Sequence, residues 1–361
     1  MNIIHKEVGF IAAENGVSRA GEGAFVRLKD GRIMLAYTEY YTANTGDDAP
    51  ANIAAVYSRD NGESWGEHRI LLEKGADDCN IMSVSFLTEG EELIIFYLKK
   101  YVVNGKVVCI PFLRRSGDDG ESWSEEQRIG KRDLYYVVNN DRVIRLKSGR
   151  IIVPAAIVDP FTGRPKNGAA LCFITSDDNG YTWTEQKQEL SLLFDNRMGL
   201  EEPGLYEHND GSIWCYIRTH LGCQYSSVSY DGGESWSAPE PMPFFSSPAS
   251  PMLVKKVCNA TVAIFNPIPG YTSRPGELWG RTPYLLVISK TDAYPHNGEG
   301  FTVSYMLEND RSNNYCYPAI LDNGTDFLIA YYHSNGTGYP LNSLKTVTQG
   351  TVLCVDKSLI I

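Results

Sequence analysis

The chain has 361 residues, 43% hydrophobic and 11% aromatic, with 33 glycines and 22 tyrosines, a composition of strands and turns more than of helices. A formal charge of -11 at neutral pH disfavours nucleic acid and anionic membrane as partners, because phosphate binding needs an excess of Lys and Arg on one face. No apolar run approaches the roughly 20 residues that cross a bilayer, and an anionic small molecule would need local arginines set against the global field.

The N-terminal stretch Met1-Asn2-Ile3-Ile4-His5-Lys6 lacks a continuous apolar segment and a small-residue cleavage site, so no export signal is expected and the cytoplasm is the expected compartment. Eight cysteines, Cys79, Cys109, Cys172, Cys215, Cys223, Cys258, Cys316 and Cys354, are scattered without metal-ligand spacing. They are read as buried free thiols, and no metal or cofactor is expected.

Along the chain, apolar alternation around a turn marks a series of hairpins. The first runs Leu28-Lys29-Asp30-Gly31-Arg32-Ile33, another is Leu146-Lys147-Ser148-Gly149-Arg150-Ile151, and further copies surround Gly90, Gly211, Asn259 and Gly324. Interleaved with them is a second repeat, Ser-x-Asp-x-Gly-x-x-Trp, at Ser58–Trp65, Ser116–Trp123, Ser176–Trp183 and Ser229–Trp236, with a degenerate fifth copy at Ser289-Lys290-Thr291-Asp292. The Asp side chain can accept turn amides, the Gly can take a left-handed conformation and the Trp can pack between neighbours. First residues 58, 60 and 53 apart give the period of a propeller blade. Six hairpins therefore predict an all-β, six-bladed propeller as one domain over residues 1–361, its ring closed by a strand from Ile3 to Ala12.

Hairpins and Asp turns must lie at one end of each blade, which leaves the opposite end for chemistry. Arg19, Glu22, Asn140, Arg142, Glu201, Glu202 and Tyr317 fall there before the hairpins. Arg218 ends a second strand, and Asp47, Asp48 and Arg281 precede third strands. Acidic groups, a tyrosine and several arginines at one channel mouth suit a site that grips a carboxylate and works on a neighbouring bond.

With four Asp boxes and this arrangement, the whole chain resembles the sialidase superfamily. The resemblance implies a glycosidase that removes a terminal acidic sugar, sialic acid or a related 2-keto-3-deoxy acid, from a small glycoside or oligosaccharide. It assigns Asp47, in Gly46-Asp47-Asp48-Ala49, as acid and base, with Asp48 beside it. Glu202, in Glu202-Pro203-Gly204-Leu205-Tyr206-Glu207, would polarise a Tyr317 nucleophile, with Glu201 as its competitor. Arg218 and Arg281 would bind the sugar carboxylate, and Asn140 and Arg142 would contact the sugar.

The family's Phe/Tyr-Arg-Ile-Pro signature is absent. The corresponding stretch reads Arg19-Ala20-Gly21-Glu22-Gly23-Ala24-Phe25, so Arg19 is expected to replace the missing arginine. Thr38-Glu39-Tyr40-Tyr41 stands where a further arginine is usual. Two alternatives stay open at this point: a propeller glycosidase or lyase that hydrolyses or eliminates at rhamnosyl or uronyl linkages with a His such as His220 or His333 as base, and a non-catalytic carbohydrate-binding propeller.

Overall fold

The computed structural model describes residues 5–11, 16–44, 46–163, 166–196, 198–267, 281–292, 298–310, 312–324, 326–335 and 348–359. Among these the fold is all-β: 25 strands and a single 3-10 turn, Lys357–Leu359. Buried positions of the strands carry Val, Ile, Leu and aromatic side chains, which fit a pleated, half-buried surface.

The strands form four sheets, of eight, nine, four and four strands. The two larger sheets each consist of two antiparallel groups joined by a single parallel pairing, Arg19 to Thr348 in one and Tyr135 to Cys109 in the other. The expected blades are thus legible as antiparallel groups, but no sheet closes on itself among the described residues. The first strands of successive groups lie side by side: Asn313–Asp322, Arg19–Arg27 and Asp78–Glu89 in one series, and Glu201–Glu207, Leu253–Val257 and Asn313–Asp322 in another. One apolar cluster crosses three groups, running from Ala24 through Ile95 and Ile110 to Ile174 and Trp183. The N-terminal strand, His5–Ile11, pairs antiparallel with Thr348–Asp356.

The Ser-x-Asp-x-Gly-x-x-Trp segments are turns of one construction. Asp60 accepts from Ser58 Oγ at 2.8 Å, from Ser64 N at 2.9 Å and from Ser64 Oγ at 2.5 Å. Trp65 Nε1 donates to Gly62 O at 3.2 Å. Asp118, Asp178 and Asp231 repeat the pattern. At Gly62, φ is +93° and a Cβ would lie 2.6 Å from Leu328 Cδ1, so glycine is required by conformation and by space. The tryptophans pack across groups: Trp236 stacks on Phe173 with centroids 4.1 Å apart, and Trp183 meets Phe96 edge-on.

The fifth copy departs from this design. Its aspartate stands one residue later, and Asp292 reaches sideways to accept from Tyr206 Oη at 2.9 Å and from Asn209 N. Hairpins meet turns at the same end, as topology requires: Arg27 donates to Asn61 Oδ1 at 2.9 Å, and Arg145 to Asn179 Oδ1 at 2.8 Å. Four of the cysteines, Cys109, Cys172, Cys215 and Cys316, are buried free thiols as expected, whereas Cys258 is an exposed one.

Candidate active site

At the end away from the Asp turns, four first strands carry the same irregularity. Their pairing shifts register between Gly21 and Ala24, Met82 and Ser85, Glu201 and Gly204, and Cys316 and Ala319. Within each shift one non-glycine residue takes positive φ: Glu22 at 53°, Ser83 at 59°, Glu202 at 44° and Tyr317 at 56°. Such conformations are uncommon for residues with a Cβ. A bulge re-aims a side chain at the point where regular pairing would have alternated it away, and here it does so four times.

Two of these residues meet directly. Tyr317 Oη donates to Glu202 Oε1 at 2.9 Å, and Arg218 Nη1 lies 2.6 Å from the same oxygen and 3.5 Å from Tyr317 Oη. The Arg281 guanidinium sits over the Tyr317 ring, 5.4 Å from its centroid, and donates to Cys316 Sγ and Ala249 O. Burial raises the Tyr317 phenol well above its ordinary value, and the Glu202 charge adds to the rise. Glu202 Oε2, Arg218 Nε and Arg281 Nε have no hydrogen-bond partner among the described residues.

The other two bulge residues, Glu22 and Ser83, form a neighbouring network. Arg19 lies 2.6 Å from Glu22 Oε1 and 2.6 Å from Asp47 Oδ1, and donates through Nε to Tyr332 Oη at 3.1 Å. Ser83 Oγ donates to Glu22 Oε2 at 2.7 Å. Burial raises the Glu22 pKa, whereas the Arg19 charge holds Asp47 down to about 2. Asp47 is 68% exposed, so solvent screens part of that attraction and the direction is firmer than its size.

The networks touch where the Tyr332 ring meets the Tyr317 ring edge-on at 5.5 Å. They are also coupled by charge: Glu22 is felt at Tyr317 and Arg281 at Asp47. Asp47, Glu202, Tyr317, Arg218, Arg281 and Arg19 are thereby brought together. Asp48 stands at the margin, its carboxylate 3.4 Å from Lys100 Nζ. Glu201 lies across the strand pair from Arg218.

Two expectations need correction. Asn140 is fully buried and its amide donates to Gly23 O at 2.8 Å and Pro318 O at 3.2 Å, so it braces two bulged strands and presents no surface to a sugar. Arg142 is 1% exposed, donates to Met252 O at 2.6 Å and lies over the Tyr216 ring, which makes it an interior tie. His333 packs against the Tyr315 ring in a tilted arrangement, centroids 5.2 Å apart. Ser83, Tyr332, Asn80 and Lys100 were not singled out by sequence reasoning, since each sits among other polar or aromatic residues of its strand and carries no motif of its own. For Glu22, already placed at this end, the missing signal was its pairing with Arg19, at i and i+3.

Comparison with known proteins places the family and the fold. The BNR repeat-like domain family matches residues 55–329. A sialidase from Paraclostridium sordellii is 24% identical over 240 residues, 60% of this chain and 56% of that protein. An anhydrosialidase from Macrobdella decora is 31% identical over 140 residues, 36% of this chain and 16% of that protein. The chain thus spans little more than half of one curated relative and a sixth of the other. The solved intramolecular trans-sialidase from Ruminococcus gnavus, in complex with oseltamivir carboxylate, superimposes with a TM-score of 0.72 at 15% identity, covering 98% of each chain. The chain belongs to the BNR repeat-like family, within the sialidase superfamily.

Proposed function

We propose that this protein is a six-bladed propeller glycosidase over residues 1–361 that releases a terminal sialic acid, or a related 2-keto-3-deoxy acid, with retention of configuration. The observation that carries the reading is the buried Tyr317–Glu202 hydrogen bond of 2.9 Å with Arg218 on the same carboxylate. The side-by-side first strands and the pairing of the N-terminal strand with the last strand support the ring.

A carboxylate nucleophile would be repelled by a substrate that carries its own carboxylate at the anomeric carbon. A phenol relayed to a glutamate avoids that repulsion. In the first step Tyr317 Oη bonds to the anomeric carbon and its proton passes to Glu202, while Asp47 protonates the departing oxygen. Water then attacks the same carbon, Asp47 takes its proton, and the tyrosine leaves and recovers a proton from Glu202. Arg281 has no carboxylate among its described partners, so it is the cation readiest to receive the substrate anion.

Arg19 is shared between Glu22 and Asp47 in the free protein. A substrate carboxylate that engages Arg19 separates it from Asp47, and the Asp47 pKa then climbs toward the range a proton donor needs. Anion binding and acid activation become one event.

The test is a panel of sialyl, Kdo-type and uronyl glycosides, with products followed by NMR. Release of the acidic sugar as its retained anomer, lost in Tyr317→Phe, is the expected outcome. No release from any substrate, with Tyr317→Phe matching wild type throughout, removes the reading. An unsaturated product would instead favour the elimination chemistry of a lyase.

A further inference from the structure

Lys100 and Asn80 are polar residues on adjacent strands of the second group, Glu92–Val103 and Asp78–Glu89, directly opposite one another in register. Lys100 is 2% exposed and Asn80 fully buried. Both reach across to the first group, onto the loop that bears Asp47. Lys100 Nζ donates to Asp47 O at 2.7 Å, and Asn80 Nδ2 donates to Asp47 O and to Ala49 O, each at 2.8 Å. The Asp47 main-chain oxygen therefore receives two buried donors while its side chain projects, 68% exposed, toward Arg19.

Fold stability alone does not call for an ammonium at Lys100, although its surroundings outweigh desolvation and raise its pKa. Desolvating an ammonium costs several kcal/mol, and a well-packed apolar residue often does as well or better in such a place. The compensation comes from one carbonyl, the Asp48 carboxylate at 3.4 Å that is itself 62% exposed, and Tyr135, which hydrogen-bonds the ammonium and presents its ring face at 5.2 Å. What the ammonium does achieve is to fix the height and direction of one short loop, Gly46–Ala49, closed by a turn from Ala49 N to Gly46 O at 3.0 Å.

We infer that Lys100 and Asn80 are positioning residues that clamp the Asp47 main chain and so hold the acid/base carboxylate in register with the Tyr317–Glu202 pair. The inference rests on the glycosidase reading above and extends it to two residues that touch no substrate. Placement matters at this scale because a shift of about 1 Å in a reacting group can cost on the order of 100-fold. The clamp also places a second positive charge beside Asp47, additional to Arg19.

Mispositioning an acid has a signature that general destabilisation lacks. A sugar leaving group needs its oxygen protonated as the bond breaks, whereas a nitrophenolate leaves without help. Lys100→Met is therefore compared with wild type on a galactose-linked and a 4-nitrophenyl sialoside through kcat/KM, which reports transfer to Tyr317. The expected result is a loss of roughly 10- to 100-fold on the sugar-linked substrate, with the nitrophenyl substrate falling by less than about threefold. In an Asp47→Asn background the same substitution should add little.

Equal losses on both substrates, or none on either, overturn the inference. Asn80→Ala, which removes no charge, repeats the test if Lys100→Met does not fold. If wild type cleaves neither glycoside, the glycosidase reading is what has failed. The clamp is then judged by hydrogen exchange at amides 46–49: faster exchange in either variant is expected, and protection unchanged from wild type rejects it.

Discussion

The site contains two arginine–glutamate pairs of nearly the same design. Arg19 with Glu22 and Arg218 with Glu202 each close at 2.6 Å, and each glutamate sits at positive φ in a bulge of a first strand. They differ in the third member. Glu202 receives a buried phenol, Tyr317, whereas Arg19 extends to the exposed carboxylate of Asp47. In the proposed mechanism the buried partner makes the first pair a proton acceptor for a nucleophile, and the exposed one makes the second a cation that ligand and acid share.

The largest expected effect breaks the first pair. Tyr317→Phe keeps the ring and its contacts with Tyr332 and Arg281 but removes the hydroxyl proposed to attack, and kcat should fall by about 1000-fold or more while the thermal midpoint stays near that of wild type. A variant that retains activity within about tenfold shows that the phenol is not the nucleophile.

Glu22→Ala breaks the second. It leaves Arg19, 13% exposed, with Asp47 as the carboxylate still facing it among the described residues, and unfolding in urea should show a loss of about 3 kcal/mol. A loss under about 1 kcal/mol would mean that Glu22 is not what holds Arg19 in place.

A sharper discrimination comes from ligand binding against pH. Asp47 sits at about 2 in the free protein because Arg19 faces it, so an anionic sugar analogue that takes Arg19 raises its pKa in the complex. The bound state then holds more protons, and affinity strengthens as pH falls through the raised value, by up to about tenfold per pH unit. Titration calorimetry across pH 3 to 7 measures this, and the slope should vanish in Asp47→Asn. A slope that persists in that variant assigns the proton elsewhere, with Glu22 the first candidate, since its pKa is already raised by burial.

The smallest effect concerns the opposite end. Asp60, Asp118, Asp178 and Asp231 are each held at about 2 by turn hydrogen bonds, led by the hydroxyl of the residue four positions on. Depressed carboxyl pKa values contribute stability that is complete above the unfolded value near 4 and is lost as pH falls toward 2. The melting temperature should therefore drop through that window, less steeply in Asp118→Asn. An identical acid profile in the variant would show that these turns do not set acid stability.

The two ends were unequally legible from sequence. The Asp turns are local, each made within eight consecutive residues, so spacing alone revealed them and placed the strands between. Those strands in turn placed Asp47, Glu202, Arg218 and Tyr317 at the other end. Asn140 and Arg142 were misjudged because the first strand of the third group is split, Tyr135–Val137 and Ile144–Arg145, around Asp141 at φ 58°. A break of that kind destroys the period of two by which inward and outward positions are assigned. Asn80, Ser83, Lys100 and Tyr332 act through contacts between groups, and no local pattern announces them.

The pairing of His5–Ile11 with Thr348–Asp356 has a consequence for biogenesis. His5 lies opposite Val355, so this strand has no partner until the segment that holds Val355 has been made, on the order of 20 to 70 s later at about 5–20 residues per second. Throughout that interval the nascent chain carries an unpaired edge. Pairing between segments so far apart in sequence makes this a late folding step, at which holdase chaperones and expression temperature bear on the yield.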